Sequence, residues 1–476
     1  MMKKMMGILT SLILVFTLAA CSGGNGSGNH TEGSSGNGNG NGNGNGNGNV
    51  SSGSGDPAGK PGKGDQEGET ATTDIGKKTI VFSTFWQDDK FEEAKKKYEA
   101  LHPNIEIKLQ HIDTDNAHVE ADLEKFATTT NTAMLAGKGP DLLEMDKLPI
   151  EDYVKRGLLA DFNTMMEQDK SFNRADYFTN ILDNAGVGGG LYGMPLSFFL
   201  MGFAGDVDAI AKAGVQIDDK SWSWDDFAQI AKKLVKDGDY PNVIASMPGS
   251  ILTMMVTDNY ASFIDVKKGK ANFETAAFTD MMKQVKTMAD DGVIGQERPY
   301  FFPTQINSPG DYLTTLKGYL AKNMSLYAKP HTKDTSPGGY FRSYRTIGLN
   351  ANSKVKQEAW DFIKFMMSEE IASSPLSAGF PINKKAYANQ LEELKKMGSV
   401  KGHEEGPLHG ASVPVDDAKI QQLTGYVNGA IHQVAYQSSK VEEIIYNESL
   451  AFFSGQKTAE AVAKLIQNKV TTYINE

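Results

Sequence analysis

From Lys77 onward, apolar and polar positions alternate between two periods. "TIVFSTFW" (Thr79 to Trp86) is short, β-branched and aromatic, which predicts a buried strand. In "DKFEEAKKKYEALHPN", Phe91, Ala94, Tyr98 and Leu101 recur at helical spacing, and His102-Pro103-Asn104 ends the helix. "IEIKL" (Ile105 to Leu109) alternates as a strand does. A second helix fits Val119 to Ala136, with Gly137 at its stop and Pro140 just beyond. Leu142 to Met145 is a further short strand. Strands alternating with helices imply βαβ units, an α/β class and a largely parallel sheet.

After the glycine-rich connection "GVGGGLYG" (Gly186 to Gly193) the chain turns mostly helical. Ser223-Trp224-Asp225-Asp226 has the form of a capping signal ahead of "FAQIAKKLV". Thr346 to Leu349 is strand-like. Ala359, Phe362, Ile363 and Met366, joined by Trp360 and Met367, make the wide apolar stripe of a buried helix. Ser439 and Glu442 have capping-box spacing. A last helix is expected from Thr458 to Ile474, with Val462, Ile466, Val470 and Tyr473 on one face.

The first 77 residues follow other rules. Lys3 and Lys4 precede an apolar run, "GILTSLILVFTLAA", which is shorter than the roughly 20 residues a spanning helix needs. Small residues then lead to Cys21. This is the layout of a secretory signal peptide over residues 1–20. Leu18-Ala19-Ala20-Cys21 resembles a bacterial lipobox, which implies cleavage before Cys21 and lipidation of its thiol. Acyl chains hold to a bilayer at about 0.8 kcal/mol per buried CH₂. Residues 22–77 are rich in Gly, Asn and Ser, and cannot bury enough apolar surface to offset their ordering entropy. They read as a flexible tether with an r.m.s. reach of about 40 Å. The expected location is the outer face of a bacterial cell membrane.

Roughly 400 residues remain, enough for two lobes. The net charge of −11 argues against nucleic acid and against adsorption to anionic lipid. A single cysteine excludes an internal disulfide.

Several segments, in order, resemble the extracellular solute-binding proteins of ABC importers, in the group that includes maltose-binding protein. They are "TIVFSTFWQDDKFEEAKKKYEALHPNIEIKLQ", "AMLAGKGPDLLEMD", "GLLADF", "GGLYGMPLS", "SWSWDDFAQIAKKL", "LKGYLAKNMSLY", "SKVKQEAWDFIKFMMSEE", "GFPINKKA" and "FFSGQKTAEAVAKLI". The resemblance implies a two-lobed fold of periplasmic-binding-protein type whose hinge the chain crosses more than once. It places the first lobe at 78–195 plus 315–348 and the second at 196–314 plus 349–476. Gly193 and Pro195 would be hinge pivots. It also implies a sugar or oligosaccharide ligand, ABC permease subunits as partners, and a monomer. "GYLAKNMSLY" departs from the family's usual Gly-Lys-Ala-Ala-Met.

Ligands of open parallel sheets sit beyond the carboxyl ends of the strands. Trp86 and Gln87 follow the first strand and Asp146 follows "LLEM", so all three are candidates. Phe198 lies just past the first crossing. Tyr327 is similar in place to an aromatic that family members stack on sugar. Gly339, Tyr340 and Arg342 belong to "GGYFRSY", which combines a close glycine approach, aromatic rings and a cation. Flat rings match the C–H faces of a sugar, and charged groups match its hydroxyls. Each residue has a structural alternative: core packing for Trp86 and Phe198, a helix cap for Asp146, an ion pair for Arg342. Trp224 and Asp141 are expected to be structural.

No cofactor is expected. The chain has no GxxxxGK[ST] loop and no HExxH pair, and its adjacent acids do not form a recognisable catalytic pair. A non-sugar solute (polyamine, peptide or metal complex) on the same fold is an alternative. A lipoprotein hydrolase or adhesin is another.

Overall fold

The computed structural model describes residues 76–475, apart from 266–267, 319–322, 333–334, 375–377, 403, 405–407 and 435–439. The signal-like run, Cys21, nearly all of the tether and Ser439 lie outside the described residues.

The chain starts as its periodicity predicts. Strand β1 (Lys78–Ser83) leads into helix α1 (Asp89–Leu101), and β2 (Ile105–Gln110) returns parallel to β1. Asp88 caps α1, its carboxylate accepting from Lys90 N and Phe91 N. Helix α2 (Val119–Leu135) then leads to β3 (Leu142–Glu144), also parallel to β1. Gly137 takes φ +67° just past α2, the left-handed turn that glycine adopts freely. The short helix α3 (Ile150–Lys155) follows.

Beyond this point the sheet becomes mixed. The long strand β4 (Met194–Asp206) is followed by α4 (Trp224–Asp237), β5 (Asn242–Ala245) and α5 (Pro248–Thr257). Next come β6 (Ile294–Gly295), β7 (Pro299–Ile306), β8 (Met324–Tyr327) and β9 (Gly339–Leu349). Helix α6 (Lys356–Met366), β10 (Phe380–Pro381), β11 (Ala430–Gln433), α7 (Lys440–Phe453) and α8 (Ala459–Tyr473) complete the set needed here. The strands run in the order β2-β1-β3-β9-β4-β7-β5-β6, with β8 and β10 on β4 and β11 beside β9. The expected largely parallel sheet therefore needs correction. β9 is antiparallel to both β3 and β4, and β4 is antiparallel to β7. The reason is that the returning strand enters from the opposite end.

Two main cores lie along this sheet. The first gathers Ile80, Phe82, Phe91, Phe198, Phe341 and Trp360. The second gathers Trp222, Phe227, Ile251, Phe301, Ile445 and Val462. A smaller cluster around Phe85, Phe126 and Tyr153 holds the ends of β1 and β3. β4 passes from one core to the other, with Phe198 and Leu200 in the first and Phe203 in the second.

The cores do not follow the expected division of the chain. Residues 349–434 were expected in the second lobe, yet Trp360, Phe362, Ile363 and Met366 pack in the first core. Phe362 lies 5.0 Å from the Tyr98 ring of α1. Each of these large side chains contributes about 1.5–3 kcal/mol on burial, so α6 is committed to that side. Tyr312 and Leu313, expected in the second lobe, also pack in the first core. Of the segment 349–476, α7 and α8 are the helices that join the second core.

At Gly193, an added Cβ would fall 2.5 Å from Thr346 Cγ2 and 2.9 Å from Ile150 Cδ1. A side chain there would have to displace the Thr346 and Ile150 methyl groups. The capping box at Ser223 forms as expected, with Asp226 bonding back to the Ser223 N–H. Among the described residues, no helix is long and apolar enough to cross a membrane.

Candidate functional site

β4 and β9 are the crossing strands, and their register fixes what each side presents. Phe198 faces Ser343, Phe199 faces Arg342, and Leu200 faces Phe341. Successive side chains on a strand point to opposite faces. Phe198, Leu200 and Phe341 therefore enter the first core, while Phe199, Arg342 and Tyr344 share the other face. The Phe199 and Tyr344 rings stack with centroids 4.6 Å apart and planes at 30°. The Arg342 guanidinium carbon sits 5.6 Å from the Phe199 centroid. Arg342 and Tyr344 both stay partly exposed. Tyr344 and Arg342 thus present a partly exposed, cation-bearing face on the strands that join the two cores, backed by a buried Phe199.

Both cores supply groups to its edges. From the first side, the ends of β1 and β3 grip β9 at Arg345. Arg345 has φ +49°, an uncommon left-handed backbone for a long side chain. Its Nε donates to Asp88 Oδ2 at 2.7 Å. Asp146 accepts from the Arg345 and Thr346 N–H groups at 2.8 and 3.0 Å. Burial pushes the Glu144 carboxyl up to about 8, and the neighbouring Asp146 and Asp88 add to the effect. Burial also raises Tyr344, with Arg345 opposing and Asp88, Asp146 and Glu144 reinforcing. From the second side, α7 brings Glu442. Burial pushes its carboxyl up to about 8 while Arg342 pulls it down.

The candidate residues fall into distinct places. Trp86 is 46% exposed, set edge-on to Phe85 with centroids 4.7 Å apart. Its carbonyl accepts from the Thr84 hydroxyl, which orders the loop. Gln87 beside it is exposed. Asp146 is neither an exposed cleft acid nor a helix cap. It is buried and holds the backbone of β9. Phe198 has no exposed surface and packs against Phe178 and Phe380 in the first core, which removes it as a ligand contact. Tyr327 packs edge-on to Phe301 beside the second core. Gly339 starts β9 and pairs with Ala430. Tyr340 is buried under the Lys329 ammonium, 4.2 Å from its ring. Arg342 lies on the open face. Asp141 accepts from Val81 N, a structural role.

Sequence reasoning missed Phe199, Tyr344 and Glu442. Phe199 was hidden because "SFFLMGF" is apolar on both faces, so the alternation that separates it from Phe198 cannot be read. Tyr344 stood within the quoted "GGYFRSY". Glu442 stood out only for its capping-box spacing from Ser439, which gives no sign of a place beside Arg342.

The arrangement suits binding. Stacked rings and a guanidinium offer an apolar plane and directed donors, and Glu442 lies beside them. Among the described residues, no group of three His, Cys, Asp or Glu side chains is placed to hold a metal ion.

Comparison with known proteins places the chain in a family and a fold. The family described as "Bacterial extracellular solute-binding protein" matches residues 86–373. An uncharacterized lipoprotein of Streptomyces antibioticus is 26% identical over 171 residues, 35% of this chain and 35% of the relative. The chain thus spans about a third of that relative's length. A putative binding protein of Brucella abortus is 23% identical over 313 residues, 62% of this chain and 72% of the relative. Among solved structures, a periplasmic oligogalacturonide binding protein from Yersinia enterocolitica has a TM-score of 0.59 at 17% identity, covering 83% of this chain and 99% of its own. A sugar-binding protein from Xanthomonas citri has a TM-score of 0.56 at 15% identity, covering 83% and 97%. At these identities the likeness establishes the two-lobed fold.

Proposed function

The chain belongs to the bacterial extracellular solute-binding proteins, of the ABC-importer type, and from that premise we propose that its solute is a sugar or oligosaccharide. The carrying observation is the partly exposed Tyr344 ring, backed by the buried Phe199, with Arg342 beside it on the strands that join the cores. Stacked rings meet a sugar's C–H face, and charge-assisted hydrogen bonds of about 1.5–3 kcal/mol fix its hydroxyls. Trp86 and Gln87 would close on the ligand from the end of β1, and Glu442 from α7. The sugar-binding neighbours support this reading. Closure of the two lobes over the ligand would be a hinge motion in β4, β9 and β11. The family is a binding class, and the ligand leaves unaltered for a membrane permease.

Anchoring belongs to the same proposal. Cys21 would carry the lipid and the Gly/Asn-rich segment would be the leash, a reading supported by the lipoprotein relative. The protein would act as a monomer.

A thermal-shift screen of the purified protein against mono- and oligosaccharides tests the reading. A ligand at 100 times its Kd adds about 2.7 kcal/mol of stability. One sugar should raise the melting temperature, and Trp86→Ala or Arg342→Ala should lose most of that rise. A response to polyamines or peptides alone would replace the sugar with another solute. Conversion of the sugar to product would overturn the binding role.

A further inference from the structure

Ser343 points away from Arg342 and Tyr344, and on its side of β9 lies a cavity of about 620 Å³. Both cores line it. The first contributes Ala185, and the smaller cluster at the ends of β1 and β3 contributes the turn after β3 and α3. The second contributes the segment 258–265 and the end of α8. The cavity is of ligand-binding size and lies across the crossing strands from the sugar face.

Its charged groups are unevenly matched. Asp146 is committed to the backbone of β9. Asp258 pairs with Lys329, and Asp265 pairs with Lys268 at 2.8 Å. Two carboxylates on α3 have no cation within ion-pair distance among the described residues, although Arg156 and Lys155 at the end of the same helix act on Asp152 from farther off. Glu151 accepts from the Tyr260 hydroxyl at 3.0 Å, a neutral partner reaching from the second core. Asp152 makes no ion pair among the described residues. Lys155, one turn on, donates to the Ile474 carbonyl at 2.8 Å instead. No Lys or Arg occurs among the described residues that line the cavity. Tyr260 and Tyr473 complete the corner, and the carboxylates of Glu151 and Asp152 both act on the Tyr473 phenol.

We propose that this cavity is a second binding site, for an organic ammonium, held by Glu151 and Asp152 on α3 and by the Tyr260 and Tyr473 rings from the side of the second core. Carboxylates neutralise an ammonium, and tyrosine faces attract it through their quadrupole. Burial holds the Glu151 carboxyl at about 7, and a cation beside it would return it to the ionised form. An amine fits better than a divalent metal, because the described residues present no cluster of three ligating side chains. Because its groups come from α3 on one side and the second core on the other, an occupant would pin the two sides together independently of sugar.

Titration calorimetry of the purified protein with spermidine tests this. One spermidine should bind per chain. The Glu151→Gln/Asp152→Asn variant keeps side-chain shape and the Tyr260 hydrogen bond. It should lose about tenfold or more in spermidine affinity while retaining its sugar response. Tyr473→Ala should weaken binding and Tyr473→Phe should not. Circular dichroism melts check that each variant is folded. The proposal fails if spermidine does not bind at about 1 mM, a Kd already as weak as −4 kcal/mol. It fails if the double variant binds unchanged, or if calcium displaces spermidine. Loss of sugar binding with spermidine binding intact would instead count against the sugar reading alone.

Discussion

Arg345 donates its Nε to Asp88 Oδ2 at 2.7 Å, and an Nη lies at the same distance from that oxygen. The contact fastens β9 to the loop that opens α1. Asp88 therefore does two jobs, capping the helix and neutralising a nearly buried guanidinium. Asp88→Asn should keep the cap and lose the charge. Asp88→Ala should lose both, and should be less stable than Asp88→Asn by about 1 kcal/mol. Urea unfolding curves measure the difference. Removing the charge should cost about 3–5 kcal/mol, since Arg345 would be left buried and unpaired.

Lys329 and Asp258 form an ion pair with side chains 4% and 0% exposed. Removing one partner strands the other. Lys329→Met should cost about 3–5 kcal/mol, and adding Asp258→Leu should recover most of it. The same unfolding measurement checks this. A double variant as unstable as the single one would mean that other groups hold Asp258 in place.

Glu144 and Glu442 have carboxyls raised from an ordinary 4.5 to about 8, in both cases chiefly by burial. In the folded state they keep their protons where the unfolded chain has released them. Their contribution is thus fully present below about pH 4.5 and is lost as pH rises through about 8. Stability should fall between those limits. Glu442→Gln should flatten part of that slope. Melting temperatures across pH 5 to 9 test it, and a variant with the parent's slope would contradict it.

Phe198 and Phe199 are neighbours with opposite tasks. Phe198→Ala should cost about 3–5 kcal/mol of stability through the cavity it leaves in the first core. Tyr344→Ala and Arg342→Ala should cost far less stability. They should lower sugar affinity about tenfold or more, the value of a charge-assisted bond or a lost ring face. Paired melting and titration data separate the two classes.

Local signals made much of the framework legible. The β1–α1–β2 unit, the cap at Ser223, the last helix and the end of α2 at Gly137 all follow from short-range periodicity and turn chemistry. What the sequence did not disclose depends on distant partners. The stripe of α6 announced a buried helix but not which core would receive it, because that is decided by Tyr98 some 260 residues earlier. Phe199 could not be told from Phe198 without the register against β9. Asp146 stood at a strand end as expected, yet the two N–H groups that consume it come from residues 345 and 346. Trp86 at the end of a buried strand was expected to face outward, and it is 46% exposed, edge-on to Phe85.

A crystal structure with the sugar that gives the largest thermal shift tests the central claim most directly. The account predicts an intact sugar between the cores, with a ring face against Tyr344, hydroxyls within hydrogen-bond distance of Arg342, and Trp86 closing over it. Sugar density anywhere else on the molecule, or density for a cleaved product, would contradict it.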